Sequence, residues 1–370
     1  MTDNALKQLG ILGQSIWLDY IRRDLIASGQ LREMIATDGL RGMTSNPAIF
    51  AKAIGASHEY DAAIQALAAT RKTPQEIYET LSQQDVQSAA EAFRPLYEAS
   101  DGGDGYVSLE VNPHLARDTA GTIQEAHRLW RAVDRPNVLI KVPATVEGLP
   151  AIQQLISEGI SVNVTLLFGL DRYRQAAEAY LAGLEARAAL GRPLARVASV
   201  ASFFLSRIDT RVDPVLEAFF AHEGKGAELA RQLHGQVAVA SAKLAYRDFQ
   251  ALFGGPRFQA LVRAGARPQR LLWASTGTKN PDYSDVKYVE ALIGVDTVNT
   301  APPATLDAYR DHGDPALRIG LDVAHAEWVF RQLPEMGIHL DLITQELETA
   351  GVEKFTQPFD TLLGALAKRP

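Results

Sequence analysis

One lysine stands apart from its surroundings. In VLIKVPA (138–144), Lys141 interrupts an otherwise apolar run of strand character, and a charge buried there without compensation is expensive. Side chains alternate along a strand, so Leu139, Lys141 and Pro143 share one face while Ile140 and Val142 take the other. Only a face that opens on a polar pocket tolerates an amine. Partial desolvation in such a pocket lowers the amine's pKa and frees it to attack a carbonyl carbon. A structural lysine paired with a carboxylate would occupy the same kind of position, so residue type alone leaves both roles open. Two carboxylates accompany it: Asp19 in IWLDY (16–20) and Glu110 in YVSLEV (106–111). Either could move protons near a reactive amine or serve as its counter-ion. In SVNVTLLF (161–168), Asn163 and Thr165 are two apart and project the same way, as a face for hydroxyls or for ordered water would require. Thr44, Ser45, Asn46, Asn112, Ser202, Ser275, Asn299 and Thr300 fall at the ends of the remaining apolar runs.

Such residues need a scaffold that gathers strand ends. Eight short apolar or β-branched runs, at 16–20, 42–46, 106–111, 138–144, 161–168, 196–204, 270–276 and 296–302, alternate with helical patterns such as 22–37, 114–133, 171–190 and 226–250. Strands separated by helices pair in parallel through right-handed crossovers, and eight such units close on themselves. The expected class is α/β: a (β/α)8 TIM barrel with helical insertions and C-terminal helices, its chemistry at the C-terminal ends of the strands. An open doubly wound sheet is the rival. No strand here is followed by GxGxxG or GxxxxGKS/T, the glycine loops that present a helix to phosphate in such sheets. Residues 47–105 and 205–269 carry several helical patterns each and read as insertions, and Asp213-Pro214 reads as a helix start, an N-cap followed by proline. Residues 1–370 form a single barrel domain on this reading, with 304–370 a C-terminal helical extension packed on it. Helices are expected at 314–333 and 341–367, where one draped over the mouth could supply a side chain or shield the site.

Further cations lie beyond the late strands. Arg207 follows the sixth, and Lys279, with Ser275, Gly277 and Thr278, lies in WASTGTKN after the seventh. Barrels often hold a phosphate there, where backbone N–H groups and a cation converge. Charge elsewhere is unremarkable. The 37 Lys+Arg and 44 Asp+Glu give a net charge of −7 with no basic run, which argues against nucleic acid or an anionic membrane as partner. No apolar stretch approaches the roughly 18 residues of a membrane span, and MTDNALKQLG (1–10) lacks the basic-then-apolar order of a leader. A soluble, cytoplasmic protein is expected, either monomer or homodimer. The absence of cysteine removes disulfides, thiolate metal sites and cysteine nucleophiles. The histidines show neither HExxH nor HxH spacing, so no metal is expected. The Phe203-Phe204 pair reads as core or pocket wall rather than a platform for bases.

TSNPAIF, SLEVNP, VLIKVPAT, SVNVTLLF and ASFFLSRID occur in order with suitable spacing, and in these motifs the chain resembles the transaldolase family, in its longer bacterial form with extra helices. The likeness runs from Gln14 to Pro303. It implies cofactor-free transfer of a dihydroxyacetone unit from sedoheptulose 7-phosphate to glyceraldehyde 3-phosphate. By the match of motifs, Lys141 would form the Schiff base and Asp19 would exchange the proton of the substrate C4 hydroxyl. Glu110 would act through a water held with the help of Thr165. Asn46, Asn163 and Ser202 would bind the dihydroxyacetone hydroxyls, and Arg207 the phosphate. Where many members carry an arginine shortly after the serine equivalent to Ser275, this chain has Lys279, a point charge rather than a two-pronged donor. Fructose-6-phosphate aldolases resemble the chain with glutamine at Glu110 and tyrosine at Phe204, so these two residues favour the transferase. A sugar-phosphate-binding barrel without catalysis is the alternative of a different class.

Overall fold

The computed structural model describes residues 4–368 apart from residue 56. The first three residues of the MTDNALKQLG segment lie outside the described residues. Eight parallel strands close into a barrel in sequence order: β1 Gln14–Asp19, β2 Gly42–Thr44, β3 Tyr106–Glu110, β4 Val138–Pro143, β5 Val162–Leu167, β6 Ser199–Phe204, β7 Arg270–Ala274 and β8 Thr297–Ala301. The open-sheet alternative is thereby excluded. Strands buried on both faces explain why β4 and β5 read as near-continuous apolar runs, broken only where a polar side chain turns inward. Interior space is tight enough to dictate residue type: a Cβ at Gly42 would lie 2.5 Å from the Trp17 indole.

Several strands stop earlier than their sequence runs, and the cause is local chemistry. GMTSN ends as strand at Thr44 because Asn46 turns to cap the next helix. RLLWAST ends at Ala274 because Ser275 adopts φ 57°. On β5 the alternation holds through Thr165 and then breaks: Leu166 sits at φ 60° and the register with β6 shifts between Val164 and Leu167. A bulky residue in the left-handed region is strained by about 1–3 kcal/mol, and this one lies beside the mouth.

The insertions are helical. Pro47–Gly55, Asp61–Ala69 and Pro74–Ala99 occupy the first, and Ser206–Glu217, Lys225–Leu233, Val237–Gly254 and Pro256–Val262 the second. Asp213-Pro214 does not start a helix. Pro214 lies inside Ser206–Glu217, while Asp213 accepts from the Tyr283 hydroxyl at 2.6 Å and the Gly235 amide at 2.9 Å. These tertiary bonds, with buried Ile208 and Val212 on the same helix, outweigh the local capping preference. The pattern at 314–333 is helical only from Val323 to Gln332, followed by a short 3-10 turn. Its first part is held as a loop by amides of Arg318 and Ile319 donating to the Ile293 carbonyl. The final helix, Leu340–Leu366, packs on Pro47–Gly55, Pro74–Ala99, Ser206–Glu217 and β5, and so crosses the C-terminal mouth. Gly351 permits that crossing, since a Cβ there would lie 3.0 Å from Leu166 Cδ2. Among the described residues, no helix is long and apolar enough to cross a membrane.

Candidate active site

Strand register assembles the mouth. Glu110 on β3 stands opposite Lys141 on β4, which in turn stands opposite Asn163 on β5. Lys141 is 4% exposed. Its Nζ donates to the Ser45 carbonyl at 3.0 Å and lies 3.6 Å from Glu110 Oε2, a charge contact longer than a hydrogen bond. Phe355 of the final helix covers it, with 5.8 Å from Nζ to the ring centroid. Neither Glu110 oxygen has a hydrogen-bond partner. Burial pushes this carboxyl up to about 7, against the pull of Lys141.

Asp19 forms the opposite wall. It keeps some surface open to the mouth, yet burial raises its pKa, opposed first by the charge on Lys141. The Thr44 hydroxyl donates to it at 2.7 Å. Because that proton is committed, the Thr300 hydroxyl, 2.6 Å from Thr44 Oγ1, must be the donor in its own bond with Thr44.

Asn163 is held at both ends of its amide, donating to Ser108 Oγ at 3.0 Å and accepting from Ser202 Oγ at 2.7 Å. Thr165 is buried with no partner for its hydroxyl. Asn46 caps Pro47–Gly55, its Oδ1 accepting from the Ile49 amide at 2.9 Å. Phe204 stacks near Phe168, with centroids 5.2 Å apart, and carries the Arg207 guanidinium 5.4 Å from its own centroid. Phe203 instead packs outward on Trp273. Arg207 Nη1 is buried without a hydrogen-bond partner, and burial pulls the guanidinium's pKa down. Ser275 Oγ meets Ser206 Oγ at 2.8 Å. The charges of Lys279 and Arg207, like that of Lys141, act on Asp19 and oppose the rise in its pKa. Among the described residues, no group of three or more histidine or carboxylate side chains could hold a metal ion.

A buried amine beside a carboxylate with a pKa near neutrality, a second raised carboxylate and an ordered amide together form an arrangement suited to carbonyl chemistry with proton transfer. The transaldolase/fructose-6-phosphate aldolase family model matches residues 16–366. The chain belongs to that family. Relatives from the same family span its whole length. It is 47% identical to the transaldolase of Trichodesmium erythraeum over 100% of this chain and 98% of that protein. It is 48% identical to that of Saccharopolyspora erythraea over 98% and 96%, and 47% identical to that of Thiobacillus denitrificans over 98% and 99%.

Some of the polar residues that the family barrel gathers differ from those its strands advertise. Asn299 is not at the mouth: its Oδ1 accepts from Thr276 Oγ1 at 3.0 Å, and Thr300 faces inward instead. Asn112 caps a short helix through the His114 amide. Ser108, which orders Asn163, and Phe355, which roofs Lys141, had no local cue. Phe355 is one apolar residue in an amphipathic helix far along the chain, and only the crossing of that helix brings it to β4.

Proposed function

We propose that the chain is a transaldolase of the pentose phosphate pathway, moving a dihydroxyacetone unit from sedoheptulose 7-phosphate to glyceraldehyde 3-phosphate through a Schiff base on Lys141. The observation that carries this reading is the buried Lys141 amine 3.6 Å from Glu110 at the C-terminal mouth. The unprotonated amine attacks C2 of the ketose to give a carbinolamine. Glu110, with its pKa near neutrality, returns a proton through a water so that hydroxide leaves as water and the iminium forms. The unpartnered Thr165 hydroxyl suits the holding of that water.

Asp19, made more basic than an ordinary carboxylate by burial, takes the proton of the C4 hydroxyl. The C3–C4 bond then breaks, its electron pair passes to the iminium to give the enamine, and erythrose 4-phosphate departs. The enamine attacks the aldehyde carbon of glyceraldehyde 3-phosphate, Asp19 returns the proton to the new hydroxyl, and hydrolysis frees fructose 6-phosphate. Asn163 and Ser202, fixed by their mutual bond, and Asn46 would retain the three-carbon unit between the half-reactions. Arg207, Ser275 and Lys279 would take the phosphate, and Phe204 would orient Arg207. The chemistry needs no cofactor. We further place the enzyme in the cytoplasm, with phosphorylated sugars rather than nucleic acid or membrane as partners.

The test is to supply fructose 6-phosphate and erythrose 4-phosphate and follow the products. Sedoheptulose 7-phosphate without free dihydroxyacetone is the expected outcome. Stoichiometric free dihydroxyacetone would identify an aldolase instead, and no turnover would leave a binding barrel.

A further inference from the structure

Three cations from three separate elements meet on one side of the mouth. Arg207 comes from the helix after β6, Lys279 from the segment after β7 and Lys354 from the final helix. Arg207 and Lys354, with Thr210 and Leu347, line a cavity of about 300 Å³. Arg211 and Glu346 also border it, but they pair with each other at 2.6 Å. Arg207 Nη1 is buried with no hydrogen-bond partner, while Lys354 stands exposed at the rim. The charge that acts most on Lys354 is Arg207; partial burial and Lys279 add to it, and together they lower the ammonium's pKa without an offsetting carboxylate. Like charges gathered this way repel, and a bound anion relieves the repulsion of all three at once.

The turn that carries Lys354 is fixed. Its neighbour Phe355 is buried over Lys141, and one turn earlier Gly351 is packed so closely that a Cβ there would lie 3.0 Å from Leu166 Cδ2. An ammonium such as that of Lys279 is a point charge rather than a forked donor, so a second ammonium from the final helix would add to what it offers a phosphate. We propose that Lys354 is a phosphate-binding residue: a third cation, carried by the final helix, that clamps the sugar phosphate together with Arg207 and Lys279 and so ties that helix to bound substrate. The inference rests on the reading of Arg207 and Lys279 as phosphate ligands.

The experiment compares the wild-type chain with Lys354→Met and Lys354→Arg. Inorganic phosphate is titrated by calorimetry, hydrogen exchange of 340–366 is followed with and without phosphate, and KM is measured for fructose 6-phosphate. Loss of one charge-assisted contact should weaken phosphate binding roughly tenfold in Lys354→Met. KM should rise by a similar factor, more than kcat falls. Lys354→Arg should restore most of both, and phosphate should slow exchange in 340–366 in the wild type but not in Lys354→Met. Phosphate affinity equal in Lys354→Met and wild type, or no rescue by arginine, would overturn the proposal. Phosphate binding is read without turnover, so a chain that binds phosphate through Lys354 but transfers nothing defeats only the transaldolase reading. A chain that transfers while its phosphate affinity ignores Lys354 defeats only this inference.

Discussion

The two ends of the barrel handle buried polar groups in opposite ways. At the N-terminal end, Asp104 accepts from the Ser15 hydroxyl, from Trp17 Nε1 at 3.2 Å and from Arg270 at 3.3 Å, while Arg270 also donates to Ser15 Oγ and to the Gly103 carbonyl. Among the described residues, the buried atoms without a hydrogen bond toward that end include the neutral amide oxygens of Gln14, Asn137 and Gln269, whose nitrogens are all bonded, and Arg135 Nε, whose charge is met by Glu91 at 2.5 Å. At the C-terminal mouth the unpartnered atoms belong to Glu110, Thr165 and Arg207, two of them ionisable. A closed network stabilises a fold, whereas unsatisfied charge is tolerated where a ligand completes it. One barrel thus separates what holds it together from what it does, as the strand polarity of this architecture allows.

That contrast can be broken from either end. The largest effect on rate is expected from Lys141→Met, which removes the nucleophile: kcat should fall by about 10⁴-fold or more, while thermal unfolding shows the fold intact. Glu110→Gln should lower kcat by roughly 10²- to 10³-fold and also change the pH profile. With the Glu110 carboxyl at about 7, the ionised form that accepts protons is lost as pH falls, so the wild-type rate should decline on the acid side of about pH 7. The variant should lack that limb, and a kcat profile from pH 5 to 9 reads both. Arg207→Ala should raise KM for phosphorylated substrates by roughly 10- to 100-fold, the worth of a hydrogen bond to a charged group; an unchanged KM would remove it from the phosphate site. The smallest effect on catalysis is expected at the far end. Asp104→Ala should cost about 3 kcal/mol of stability by stranding Arg270, seen as a lower denaturant midpoint, with kcat/KM unchanged.

The same division explains what could be read from the sequence. Lys141, Asn163 and Thr165 were legible because a period of two in an apolar run leaves an inward polar residue conspicuous. Asp19 and Glu110 were legible as strand ends. Asp213-Pro214 reads as a helix start yet lies inside Ser206–Glu217, because the donors that decide it, the Tyr283 hydroxyl and the Gly235 amide, are distant in sequence. Asn299 and Thr300 are neighbours, and only the register of β8 with β1 and β7 tells which of them turns inward. Phe355 and Lys354 were invisible for the same kind of reason: nothing local marks which face of a long amphipathic helix will cross the mouth.

The central claim is that Lys141 becomes covalently bound to a ketose. Incubation with fructose 6-phosphate, reduction with borohydride and peptide mapping by mass test it most directly. A reduced dihydroxyacetone or hexose adduct on Lys141, absent without sugar, is the predicted result. An adduct on another lysine, or none on a folded protein, would contradict it.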